Sequence, residues 1–179
     1  MTFKRCIYLI RTDLYRYMCD TSFKTFIKAY LLIPGFQFSF WLRLCKYLKC
    51  QRYAKPVYIV ARLILLRLAI AYGFDIAVDA NIGEGFYIGH FGGIEIGPRA
   101  MIGKNCNISQ GVTLGQKNRG KHAGYPIIMD NVYIAPGAKI IGNVVVGNNV
   151  AIGANCVVTK DVPDNGVVVG VPGQVISYE

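Results

Sequence analysis

Histidine is nearly missing from this sequence: two, His90 and His122, stand among 179 residues. A zinc catalyst built on three imidazoles has no third one to use, and no metal is expected. Acid is scarce where base is abundant. Residues 1–74 hold thirteen Lys and Arg against Asp13 and Asp20 alone, whereas residues 75–179 are close to neutral. Long apolar runs are absent too. The most apolar stretch, 57–72, is interrupted by Arg62 and Arg67, so a spanning helix is not expected. The first apolar run is broken by Arg11, which argues against a secretory leader. The six cysteines (6, 19, 45, 50, 106 and 156) follow neither metal-site nor disulfide spacing, and Cys106 and Cys156 read as small core residues in a reducing cytoplasm. No nucleic-acid-binding motif accompanies the positive charge.

What the sequence does have is a period of six. Aliphatic residues stand at Ile76, Ile82 and Ile88, then at Ile96, Ile102, Ile108 and Leu114, then at Ile128, Ile134, Ile140, Val146, Ile152 and Val158. Helices repeat at three and four, strands at two, and neither accounts for six. Four residues after most of these stands a slender partner such as Ala100, Cys106, Val112 or Ala138, with Phe86 a departure. Such a unit suits a short strand and a turn. Three units close a coil of about 18 residues, and coils stack at the strand spacing. Separate strands of an α/β protein are excluded, because no stretch of crossover length divides them.

The phase breaks twice. "GHFGG" adds two residues between Ile88 and Ile96; "GQKNRGKHAGYP" adds two beyond two units, or eight beyond one. Insertions in a solenoid are expelled as loops, commonly on the binding side. Both histidines lie in these breaks. Before the coil, "FKRCIYLIRTDLYRYM", "TSFKTFIKAYLLI", "FQFSFWLRLCKYL" and "VYIVARLILLRLAIAY" predict four helices, with Thr21 or Ser22 as an N-cap, a break at Pro34-Gly35 and a start at Pro56. The division is therefore 1–74, basic and helical, serving trimerisation or membrane-surface contact, and 75–179, the coil with its C-terminal tail.

The array together with "NISQGVTLG", "PGAKIIGNVVVGNNVAIGANCVV" and "DVPDNGVVVGVPG" resembles the hexapeptide-repeat acyltransferases, most of all the serine acetyltransferases and the polysaccharide O-acetyltransferases related to them. The resemblance implies a mainly β fold, a left-handed parallel β-helix preceded by helices. It also implies a homotrimer that uses acetyl-CoA. Serine acetyltransferases carry an Asp-Ile pair and, fifteen residues on, a catalytic histidine; Asp75-Ile76 and His90 match. A neutral imidazole takes the proton of a hydroxyl as it attacks a thioester, and a carboxylate on the other ring nitrogen fixes the tautomer. The coenzyme positions implied are Gly115, Ala135, Pro136, Ala154 and Lys160.

Two positions depart from the serine enzymes. Gly89 replaces the Asp before the histidine, and Gly124-Tyr125 replaces an Arg-His pair. Those charges hold a zwitterion, and their loss predicts a poor fit for serine. The sequence-based expectation is accordingly a cytoplasmic O-acetyltransferase acting on a saccharide acceptor, a surface-polysaccharide sugar or its precursor. It would associate peripherally with anionic membrane and bind acceptor near Gly89, Gly92, His122 and Tyr125. Serine acetylation is the alternative.

Overall fold

The computed structural model describes residues 1–178. Four helices come first: α1 (Phe3–Met18), α2 (Phe23–Leu32), α3 (Pro34–Lys49) and α4 (Lys55–Tyr72). Ser22 rather than Thr21 caps α2, its hydroxyl accepting from the Thr25 amide. The break expected at Pro34-Gly35 falls at Ile33, between α2 and α3, and the Pro34-Gly35 pair itself opens α3. Proline stands at the helix start, where its missing N–H costs nothing. Helix α3 is the central one, packed on α1, α2 and α4. Aromatic rings fill one side of it, with Phe26 edge-on to both Phe36 and Phe40.

From Phe74 the chain winds as a three-sided parallel coil. One side stacks β1 (Phe74–Ile76), β4 (Ile94–Ile96), β7 (Thr113–Gly115), β10 (Lys139–Ile141) and β13 (Val157–Val158). The second stacks β2 (Asn81–Ile82), β5 (Met101–Ile102), β8 (Ile127–Ile128) and β11 (Val145–Val146). The third stacks β3 (Tyr87–Ile88), β6 (Asn107–Ile108), β9 (Tyr133–Ile134), β12 (Ala151–Ile152) and β14 (Gly166–Val169). A last strand, β15 (Gln174–Tyr178), turns back antiparallel on β14 and closes that end. All thirteen periodic aliphatics and their slender partners are buried, Phe86 included. The pairing of Ile102 with Ile128 and of Leu114 with Ile140 settles the longer break: it is one unit plus eight expelled residues.

A corner of the coil needs a residue in the left-handed region, where glycine and asparagine are tolerated. Asn105, Asn131, Asn149 and Asn165 take it at one corner, with φ of 54–62°. Their amides form a ladder, Asn105 to Asn131 at 3.3 Å, Asn131 to Asn149 and Asn149 to Asn165 both at 3.0 Å. Glycines do the same at the corner between the third and first sides, where Gly93 packs on Gly111 and Gly111 on Gly137.

The first coil has no coil beneath it, so its outer backbone edge would be left unpaired. The helices supply the partners. Arg43 donates to the carbonyls of Ile82 (2.6 Å) and Gly83 (2.5 Å), and Lys46 to that of Ala80 (2.5 Å). The Phe86 amide donates to the Asp13 carboxylate at 2.9 Å, and the Gly85 amide to Thr12 at 3.3 Å. Asp13 and Arg43 are themselves buried and joined by two contacts, Nε–Oδ2 at 2.9 Å and Nη2–Oδ1 at 3.1 Å. This pair and its backbone contacts cap the solenoid.

Candidate active site

His90 stands in the loop that turns from β3 into β4. The two residues added to this coil expel the loop from the stack, and both His90 and its neighbour Phe91 are exposed. A groove of about 220 Å³ lies beside it, lined by Ile33, Pro34, Gly35, Ile88, Gly89, His90 and Phe91. The start of helix α3 is thus one wall of the groove and the histidine loop the other. Sequence reasoning missed Ile33–Gly35 as site residues; the Pro34-Gly35 pair was legible only as punctuation. Gly35 is there because nothing larger fits. A Cβ on it would lie 2.5 Å from the Ile88 carbonyl oxygen and 2.7 Å from the Tyr17 hydroxyl.

Asp75 projects from β1 beside Glu95, its register partner on β4, and is exposed. It lines a different groove with Gly73, Phe74, Gly93, Ile94 and residues of α4. Gly73 of that groove packs directly on Gly92 and Gly93, which follow His90 in its loop. No hydrogen bond joins Asp75 to His90 among the described residues, and both are exposed. Gly89 has room for a side chain, a Cβ there meeting only Tyr87 at 3.5 Å, and one on Gly92 would meet nothing within 4 Å.

Tyr125 and His122 lie elsewhere on the chain, in the longer expelled loop. That loop is pinned by a two-bond bridge between Lys117 and Gly124. The Tyr125 ring covers Gly97 and faces the Arg99 guanidinium at 5.2 Å, while its hydroxyl donates to Gln116 at 2.7 Å. His122 offers its main-chain carbonyl to the Asn143 amide at 2.9 Å. Within one chain neither lines the groove of His90.

The five expected coenzyme positions divide between two corners. Ala135, Pro136 and Ala154 stack on the same corner as the His90 loop, two and three coils above it, the Asn155 amide donating to the Pro136 carbonyl at 2.9 Å. Gly115 and Lys160 sit at the opposite edge of the β1–β4–β7–β10–β13 face, Gly115 as the last residue of β7 and Lys160 just after β13. Between the two edges run the outward residues Thr113, Lys139 and Val157, with Lys139 held by the Gly111 carbonyl and the Thr113 hydroxyl. The described residues hold no group of three metal-ligating side chains. Burial raises the thiols of Cys45 and Cys106 to about 11, which keeps them protonated and inert.

The three-sided parallel coil places the chain among the parallel β-solenoids. The family signature described as bacterial transferase hexapeptide (six repeats) matches residues 125–160. The serine acetyltransferase of Synechococcus elongatus is 38% identical over 157 residues, which cover 88% of this chain and 63% of the relative. A Neisseria gonorrhoeae serine acetyltransferase solved in complex with serine superposes with a TM-score of 0.79 at 31% identity, covering 98% of this chain and 70% of that one. A serine acetyltransferase solved with CoA gives 0.77 at 29% identity over 97% and 70%. The chain belongs to the hexapeptide-repeat acyltransferases, in their serine acetyltransferase-like branch, and its coil is their left-handed β-helix. It spans about three-fifths of the length of the curated relatives it matches.

The expectation of a saccharide acceptor is corrected by these relatives, which are serine acetyltransferases over most of this chain. The reasoning failed at one step. Losing charged contacts at Gly89 and Gly124-Tyr125 weakens the grip on a zwitterion, but it does not build a site for a sugar.

Proposed function

We propose that this chain is an acetyl-CoA-dependent serine O-acetyltransferase with His90 as its general base. The observation that carries the reading is a correspondence across nearly the whole chain with serine acetyltransferases, one of them solved with serine, around an exposed histidine loop. The serine hydroxyl attacks the thioester carbonyl while the imidazole takes its proton. Collapse of the tetrahedral intermediate breaks the C–S bond, and the imidazolium returns the proton to the leaving thiolate as CoA-SH. Asp75 is assigned to the other ring nitrogen, where it stabilises the imidazolium. Gly115, Ala135, Pro136, Ala154 and Lys160 are assigned to the coenzyme, and a homotrimer would bring their two edges against neighbouring chains.

Thiol release from acetyl-CoA with and without L-serine tests this. Turnover that depends on serine is expected, with a high KM because Gly89 leaves the ammonium without a carboxylate. Gly89→Asp should lower that KM about tenfold, since the position has open space for the side chain. Absence of serine-dependent turnover in both proteins would overturn the reading.

The helical region is assigned a peripheral contact with anionic membrane. Asp13 is buried against Arg43, so Asp20 is the only acid its surface shows. Phe23, Leu31 and Leu32 of α2 and Val57, Ile59 and Val60 of α4 are exposed beside its cations. No helix among the described residues is long and apolar enough to cross a membrane. Binding to anionic but not neutral vesicles, weakening with salt, is the expected result.

A further inference from the structure

The loop that carries His90 leaves β3 at Ile88, and β3 is the lowest strand on its side of the coil, with β6 on one edge and no strand on the other. A strand in that place ordinarily leaves its outer amide and carbonyl to solvent. At Ile88 both are taken by one side chain. The Ile88 amide donates to the Tyr17 hydroxyl at 2.8 Å, and that hydroxyl lies 3.2 Å from the Ile88 carbonyl oxygen, to which it donates. Its ring is packed against Tyr87 at 4.5 Å between centroids and edge-on to Phe36 at 5.9 Å. Burial lifts the phenol well above its ordinary pKa, so it stays neutral and keeps both roles. Gly35 closes the other side, where a Cβ would collide with the same carbonyl and the same hydroxyl. The grip ends two residues short of His90; Gly89, the one residue between, has no side chain and is held by its amide, which donates to the Ile108 carbonyl at 3.0 Å.

We infer that Tyr17 is a positioning residue for His90: with Gly35 it replaces the missing strand at Ile88 and sets where the histidine loop leaves the coil. The inference rests on His90 being the base, as proposed above. Tyr17 touches neither substrate in this scheme. It acts through the backbone of β3, and its loss should leave coenzyme binding alone while spoiling the geometry of proton removal, where a displacement of about 1 Å can cost on the order of 10²-fold.

The test uses Tyr17→Phe, which keeps the ring and removes the hydroxyl. A comparison variant, Trp41→Phe, removes one hydrogen bond within the helical region, from the indole to the Tyr30 hydroxyl at 3.0 Å. Two readouts are taken on each full-length protein. The first is kcat and the two KM values. The second is the imidazole NMR signal of His90, separated from that of His122 by a His122→Gln sample, and it needs no acceptor. Tyr17→Phe should lower kcat about tenfold or more, change KM for acetyl-CoA less than twofold, and shift or broaden the His90 signal while His122 stays put. Trp41→Phe should do none of these. Gly35→Ala, which pushes the same carbonyl from the other side, should reproduce the His90 shift. An unmoved His90 signal in Tyr17→Phe would overturn the inference, as would an equal loss in Trp41→Phe. If the wild type turns over no serine, the acceptor assignment fails instead, and the NMR comparison still decides the role of Tyr17.

Discussion

The helical region and the coil are held together in different ways. In the coil each rung repeats the last: an aliphatic and a slender residue inside, an asparagine or glycine at the corner, and backbone pairing above and below. Its stability is spread evenly, and no single rung is special. The helical region has no such repetition. Its aromatic rings meet edge to face, many of its large apolar side chains face outward, and its polar anchors converge on the first coil alone. A repeat can lose one unit's worth of interaction and keep its neighbours. A cap made of one buried ion pair cannot.

Breaking the cap should therefore give the largest stability loss. Arg43→Ala leaves the Asp13 carboxylate buried without a counter-charge and strips the Ile82 and Gly83 carbonyls of their donor. A loss of about 3–5 kcal/mol is expected in denaturant unfolding. Ile140, wholly buried in the middle of the ladder, provides the coil's counterpart. Ile140→Ala should cost about 2–4 kcal/mol through lost burial and a cavity between two rungs. If the two regions unfold separately, Arg43→Ala will split the transition while Ile140→Ala will only shift it.

A smaller effect sharpens the account of the corners. Asn131→Ala puts a Cβ residue at φ 60° and removes one rung of the amide ladder, for a cost of about 1–2 kcal/mol. Asn131→Gly keeps the conformation and loses only the amide contacts, so it should cost less. An alanine no worse than glycine would show that the ladder, not the backbone angle, is what asparagine supplies there.

The same contrast decides what was legible in the sequence. Repetition writes itself into sequence: the thirteen aliphatics, the slender partners and both expelled loops follow from counting sixes. The asparagine corner was written there too, as Lys104-Asn105, Asp130-Asn131, Asn148-Asn149 and Asp164-Asn165, and went unread because the count followed apolar residues. The cap left no such trace. Asp13 and Arg43 are thirty positions apart in helices that each look amphipathic alone, and nothing in their spacing says they meet. Tyr17 and Gly35 reach Ile88 only through the way α1 and α3 pack. The acceptor was misread because charge lost from a motif was taken as a new specificity, when it measures only a weaker hold on the old one.

On the proposed function, acetyl transfer to serine runs through His90. Serine-dependent thiol release should be compared in the wild type, His90→Ala and His122→Ala, with CoA affinity and melting temperature measured on each. His90 is exposed on an expelled loop, so its removal should leave folding and CoA binding intact while lowering kcat about 10²–10⁴-fold. His122→Ala should stay within about threefold of the wild type on the same scale. Near-normal turnover in His90→Ala, or a dead His122→Ala beside an active His90→Ala, would contradict the account.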